Sequence, residues 1–154
     1  MKIIIPARKG SKGLPGKNRL LFEHTISKIP KIYKKDVIVT TDDEVIIEQL
    51  SSSECKTLKR QKTLSEDTTS TRDVLQDAID KYNISEDEQI IMLYLTYPER
   101  TWKDIEQALE FYSKTKARSL LCCSDVKVNP FLCMLKKDNY KGAQIIEHNL
   151  YRRQ

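Results

Sequence analysis

The chain has 154 residues, 39% of them hydrophobic, and a formal net charge of +5. That is enough length for one domain with a real core, and too mild a charge for a general nucleic-acid surface, which needs denser basic patches interleaved with aromatics. No apolar run approaches the ~20 residues that span a bilayer, and the start lacks the pattern of a signal peptide, so a soluble, cytoplasmic protein that binds neither nucleic acid nor membrane is expected.

In chain order, Ile3, Ile4 and Ile5 form a short apolar run that reads as a strand buried on both faces of a parallel sheet. Three of the four glycines follow within seven residues, at Gly10, Gly13 and Gly16, in a loop that also carries Arg8, Lys9, Lys12, Lys17 and Arg19. A strand that hands over to a flexible cationic loop suits a polyphosphate, because glycine lets backbone N–H groups approach the anion while basic side chains neutralise it. The loop is not a P-loop, since Ser11 stands where the first glycine belongs and Asn18 where Ser or Thr should follow Gly16-Lys17. Nor is it a dinucleotide fingerprint, since its glycines are spaced three and three. Pro15 stiffens it. A plain glycine-rich surface turn is the other reading of the same residues.

Leu20 to Ile29 reads as a short helix ended by Pro30, and Asp36 to Asp43 as a second strand running into acidic residues. Val45, Ile46, Ile47 and Leu50 suggest another helix. The polar stretch from Ser51 to Thr71 reads as a surface loop. Within it, Arg60 and the run from Ser65 to Thr71 set a cation and several hydroxyls before a helix, where exposed N–H groups can bind an acceptor. A base edge or ribose could be read there; simple helix capping is the alternative. Val74, Leu75, Ala78, Ile79 and Tyr82 recur at helical spacing. A third strand is expected over Ile90 to Leu95, and a helix with a capping box opens at Thr101 and Asp104. Ser119 to Cys123 reads as a further strand. The alternation predicts an α/β domain with a mainly parallel sheet and right-handed crossovers. Cys55, Cys122, Cys123 and Cys133 lack paired metal spacing and read as buried small hydrophobes in a reducing compartment.

Five segments occur in one order: IIPARKGSKGLPGKN at the start, VIVTTDD, the Arg60 to Thr71 stretch, LTYPERTWKDI, and the closing RRQ. Together they resemble the acylneuraminate cytidylyltransferase family, which includes CMP-sialic acid synthetases, with CMP-Kdo synthetases as more distant relatives. The resemblance implies a single three-layer, Rossmann-like nucleotidyltransferase domain over residues 1–154. It implies transfer of CMP from CTP to a 2-keto sugar acid, sialic acid or a related nonulosonic acid, with release of pyrophosphate. By resemblance Arg8 and Lys17 would be the catalytic cations on the triphosphate, Ser11 and Asn18 would line the same loop, and Arg60, Thr69 and Thr71 would contact ribose and cytosine. Tyr94, Arg153 and Gln154 would lie toward the sugar acid, and Mg2+ would bridge phosphate oxygens.

The departures are as specific as the matches. Where relatives carry QPTSPLR, this chain reads YLTYPER, so Tyr94 stands for glutamine and Tyr97 for serine, which implies a different sugar preference or none. The stretch after Asn18 is short. The family's dimerisation region and late acidic pair for magnesium would follow Gln154, so the expected chain is C-terminally truncated, with no metal ligands of its own and a homodimer left open. An inactive or weakly active CTP-binding domain is thus the alternative to a cytidylyltransferase. A sugar-1-phosphate nucleotidyltransferase is a third reading.

Overall fold

The computed structural model describes residues 1–11, 13–115, 117–123, 134–136 and 142–144. The chain divides into two compact units, Met1–Gln107 and Ala108–Gln154.

The first unit is built on a four-stranded sheet of β1 (Lys2–Pro6), β2 (Val37–Thr41), β3 (Lys56–Lys59) and β4 (Ile90–Met92), in the order β3-β2-β1-β4. Every neighbouring pair is parallel, with Ile4 opposite Ile38 on one side and Met92 on the other. Ile3, Ile4, Ile5, Val37, Ile38 and Val39 are all fully buried, as the central strands of a sheet covered on both faces must be. The expected α/β class with a mainly parallel sheet is borne out. The strand order also locates a site: connections leave β1 toward β2 and β3 on one side and reach β4 on the other, so the sheet switches direction between β1 and β4. Open α/β sheets bind ligands at the carboxyl ends of the strands flanking such a switch.

The helices begin where side-chain chemistry allows. α1 (Lys17–Ser27) follows Gly16, whose φ of 70° lies in the left-handed region that glycine enters without the Cβ clash other residues meet. It starts earlier than its apolar pattern predicts, because the turn at Gly16 sets its first residue. α2 (Glu44–Leu50) is capped by the Asp43 carboxylate, which accepts from Val45 N. α3 (Thr71–Tyr82) is capped by Ser70, which accepts from Asp73 N, and closes at Asn83 with a φ of 47°, a short polar side chain that tolerates the left-handed cap. Its Ala78 completes a cluster with Ile4, Ile38 and Leu58, against which Leu75, Tyr82 and Ile84 pack. Truncating Ile4 there to Ala would cost about 2–5 kcal/mol. α4 (Trp102–Thr115) opens with the expected reciprocal box: Thr101 N and Oγ1 donate to Asp104 Oδ2 at 2.7 and 2.8 Å, and Asp104 N donates to Thr101 Oγ1 at 3.3 Å.

Three expectations are corrected. The polar Ser51–Thr71 stretch contains β3 and a 3-10 turn at Lys62–Ser65; β3 is an edge strand that buries only Leu58, so no apolar run announces it. Residues 119–123 are not a strand but exposed coil, with Leu121 83% exposed, since an apolar run becomes a strand only when a neighbour pairs its backbone. Cys55 is buried as expected, but Cys122 and Cys123 are exposed because they lie on that coil; Cys133 lies outside the described residues. In the second unit, β5 (Met134–Lys136) and β6 (Gly142–Gln144) form an antiparallel pair. Among the described residues no helix is long and apolar enough to cross a membrane.

Candidate nucleotide site

The glycine loop leaves the carboxyl end of β1 and its root is tied to the end of β2. Ala7 N donates to Thr40 O at 2.9 Å, Thr41 Oγ1 donates to Ala7 O at 2.6 Å, and Lys9 N donates to Asp42 Oδ1 at 2.7 Å. From α1, Asn18 Nδ2 donates to Arg8 O at 2.7 Å. Lys17 N donates to Leu14 O at 3.1 Å and Gly16 gives α1 no side-chain cap, so among the described residues the Asn18 and Arg19 N–H groups are left for an acceptor, and the helix dipole favours an anion there.

Between the loop and the segment before α3 lies a cleft of about 570 Å³, with Arg8, Gly10 and Ser11 on one wall and Ser65, Glu66, Asp67 and Thr68 on the other. That volume falls within the roughly 300–1,000 Å³ of small-molecule sites. Arg8 spans it: Nη2 lies 2.7 Å from Asp67 Oδ1 and Nη1 reaches Ser65 O at 3.5 Å. Both side chains of the ion pair are partly exposed, so a competing anion can reach them. Among the described residues a Cβ added at Gly10 or Gly13 would meet nothing within 4 Å, so none of them requires glycine at either position. The backbone there faces open space.

Of the residues singled out in the sequence, Arg8 and Ser11 line this cleft. Lys17 and Asn18 stand in the first turn of α1, where Asn18 holds the Arg8 carbonyl, and they are not part of the cleft wall. Arg60 lies just past β3 and is 7% exposed; its N donates to Thr41 O at 2.8 Å, Nη2 to Thr40 O at 2.9 Å and Nε to Thr40 Oγ1 at 3.3 Å. Burial is the main force that lowers its pKa; the Arg8 charge adds to it, while Asp42 and Asp77 oppose it. Among the described residues this buried guanidinium forms no ion pair, a costly state that a ligand acceptor would relieve. Thr69 Oγ1 donates to Thr63 O at 2.8 Å, shaping the approach to α3, and Ser70 takes the capping role. Thr71 Oγ1 accepts from Tyr94 OH at 3.4 Å, which joins the start of α3 to the end of β4 beside the switch point. Arg153 and Gln154 lie outside the described residues.

Asp67, inside the Ser65–Thr71 run, is acidic but carries no local signal of its pairing with Arg8, so sequence reasoning gives it no role. Among the described residues no group of three or more His, Cys, Asp or Glu side chains is placed to hold a metal ion.

Residues 2–151 match the family model described as cytidylyltransferase. The chain is 32% identical to the N-acylneuraminate cytidylyltransferases of Streptococcus agalactiae serotype V and serotype III, over 98% of this chain and 38% of each relative. It therefore spans about two fifths of the length of these curated relatives, 38%. Among solved structures it resembles CMP:2-keto-3-deoxy-manno-octonic acid synthetase complexed with CTP, at a TM-score of 0.55 and 26% identity, covering 75% of this chain and 48% of that one.

Proposed function

Because the chain belongs to the cytidylyltransferase family, we propose that it binds CTP in the cleft between the glycine loop and the Ser65–Thr68 wall. There it would transfer CMP to the anomeric hydroxyl of a 2-keto sugar acid such as a sialic or other nonulosonic acid. The observation that carries this reading is the cleft itself: Arg8, Gly10 and Ser11, which follow β1, meet Ser65–Thr68, which follow β3, at the carboxyl edge where open α/β sheets bind ligands. The names of the relatives supply the nucleotide and the class of acceptor.

On this reading the sugar hydroxyl attacks the α-phosphorus of CTP and gives up its proton to solvent, a new O–P bond forms, the bond from the α-phosphorus to the α–β bridging oxygen breaks, and pyrophosphate leaves. Negative charge builds on the phosphates throughout, so positioned cations and amides supply most of the rate, and no covalent enzyme intermediate is required. Arg8 would leave Asp67 for the triphosphate, and the α1 amides with Lys17 would hold its far end. Arg60, Thr69 and Thr71 would read the nucleoside, and Tyr94, hydrogen-bonded to Thr71, would border the sugar. A magnesium ion, which typically keeps its waters and binds through substrate phosphates, would come with the nucleotide rather than occupy a preformed cage.

The test is titration of the chain with CTP, then incubation with CTP, magnesium and a panel of 2-keto sugar acids while pyrophosphate is followed. CTP uptake with pyrophosphate release on one of the acids supports the transferase. Uptake without release identifies a nucleotide-binding chain, and absence of uptake refutes the reading.

A further inference from the structure

We propose that Asp43 is the positioning residue of the glycine loop: through Arg19 and Thr41 it fixes the loop's root and the first turn of α1 against the end of β2 before any ligand arrives. This deepens the reading of that loop as the triphosphate site and rests on it. Asp43 is 1% exposed, and a carboxylate so placed persists only when its oxygens are matched. Arg19 Nε donates to Oδ2 at 2.6 Å and Nη2 to Oδ1 at 2.8 Å, a planar fork across the carboxylate, while Val45 N donates to Oδ1 at 3.1 Å. On the other side, Asp43 N donates to Thr41 Oγ1 at 3.0 Å, and that hydroxyl donates to Ala7 O at 2.6 Å.

Capping alone does not account for this. The cap of α2 needs one oxygen facing Val45 N, which Ser or Asn would supply equally well. The second oxygen and the fork serve a partner on another helix, Arg19, which lies two residues after the first residue of α1. A bidentate guanidinium–carboxylate pair fixes orientation as well as distance. The loop is thereby clamped at both ends, by Thr41 at Ala7 and by Asp43 at Arg19. The glycines between are left to fit an anion. A phosphate site made of backbone amides binds well only if those amides already converge, and here the convergence is set from β2.

Arg19→Gln tests this in the full 154-residue chain while leaving Asp43 to cap α2. Hydrogen exchange read amide by amide should quicken by about fivefold or more across residues 13–20, with β2 and α2 unchanged. The CTP dissociation constant should rise about tenfold. Asp43→Asn, which keeps an oxygen for Val45 N but weakens the fork, should give the same pattern in smaller measure. Unchanged exchange over residues 13–20 in Arg19→Gln, or acceleration confined to α2 or spread over the whole sheet, would overturn the proposal. If the unmodified chain takes up no CTP, the proposed function falls, and the exchange measurement still decides whether Asp43 positions the loop.

Discussion

Asp67→Asn is expected to tighten CTP binding. In the free chain the Asp67 carboxylate lies 2.7 Å from Arg8 Nη2, with the acid 40% and the arginine 30% exposed. A triphosphate that recruits Arg8 must draw the guanidinium from that carboxylate. A pair this open is worth about 0.2–1 kcal/mol. Once bound, the phosphates also face the carboxylate's own charge, and two unit charges ~6 Å apart in water repel by about 0.7 kcal/mol. Removing the charge therefore favours binding by roughly 1–1.7 kcal/mol, or about 5- to 20-fold. Calorimetric titration of CTP at low and near-physiological salt is the assay. The gain should shrink at the higher salt, where screening sets in over about 8 Å. Tenfold weaker binding in Asp67→Asn would refute this, because it would mean that the carboxylate helps to hold the nucleotide rather than standing in for it.

If the chain transfers CMP as proposed, Lys17→Ala should abolish that turnover and weaken CTP binding; unchanged affinity and rate would remove Lys17 from the site. The glycines should separate by mechanism. Gly10→Ala, whose Cβ meets nothing within 4 Å, should leave stability within about 0.5 kcal/mol yet weaken CTP binding if the ligand approaches that backbone. Gly16→Ala, at a φ of 70°, should cost about 1–2 kcal/mol of stability, read as a lower urea midpoint, and equal stability would refute the strain argument. Acid should unfold the chain through its paired carboxylates. Burial pushes the Asp43 carboxyl up, but the Arg19 and Val45 hydrogen bonds and the charges of Arg19 and Lys9 more than offset this and hold it below its ordinary value. The hydrogen bond from Lys2 likewise lowers Asp36. Because these folded values lie below the unfolded ones, the stability they carry is complete above the ordinary carboxylate value of 3.8 and is lost as pH falls through the lowered ones. The urea midpoint should stay flat from about pH 7 to 5 and drop below about 4, with a shallower drop in Asp36→Asn; a midpoint that rises on acidification would contradict the assignment.

The parts of the fold that announce themselves do so through hydrophobic continuity. Ile3–Ile5 and Val37–Val39 are apolar runs in the sequence because both faces of their strands are covered, and the Thr101–Asp104 box is a local hydrogen-bond pattern that needs nothing distant. β3 escapes for the opposite reason: Lys56–Lys59 sits at the sheet edge with one buried side chain, so its pairing with Ile38–Thr41 is a long-range fact with no local signature. Ser119–Cys123 misleads in the reverse sense, an apolar run without a paired neighbour. The candidate site divides along the same line. Arg8 and Ser11 are legible because glycine spacing and charge mark a phosphate loop within a few residues. Asp43 and Asp67 are not, since each acts on a residue 24 or more positions away and looks locally like a helix cap or a loop acid. The loop's chemistry was readable from its own residues, then, while what holds it in place comes from β2 and what occupies its cation comes from the segment before α3. Substitutions in the loop should accordingly change ligand binding most, whereas substitutions at Asp43 and Asp67 should change how ready the loop is to bind.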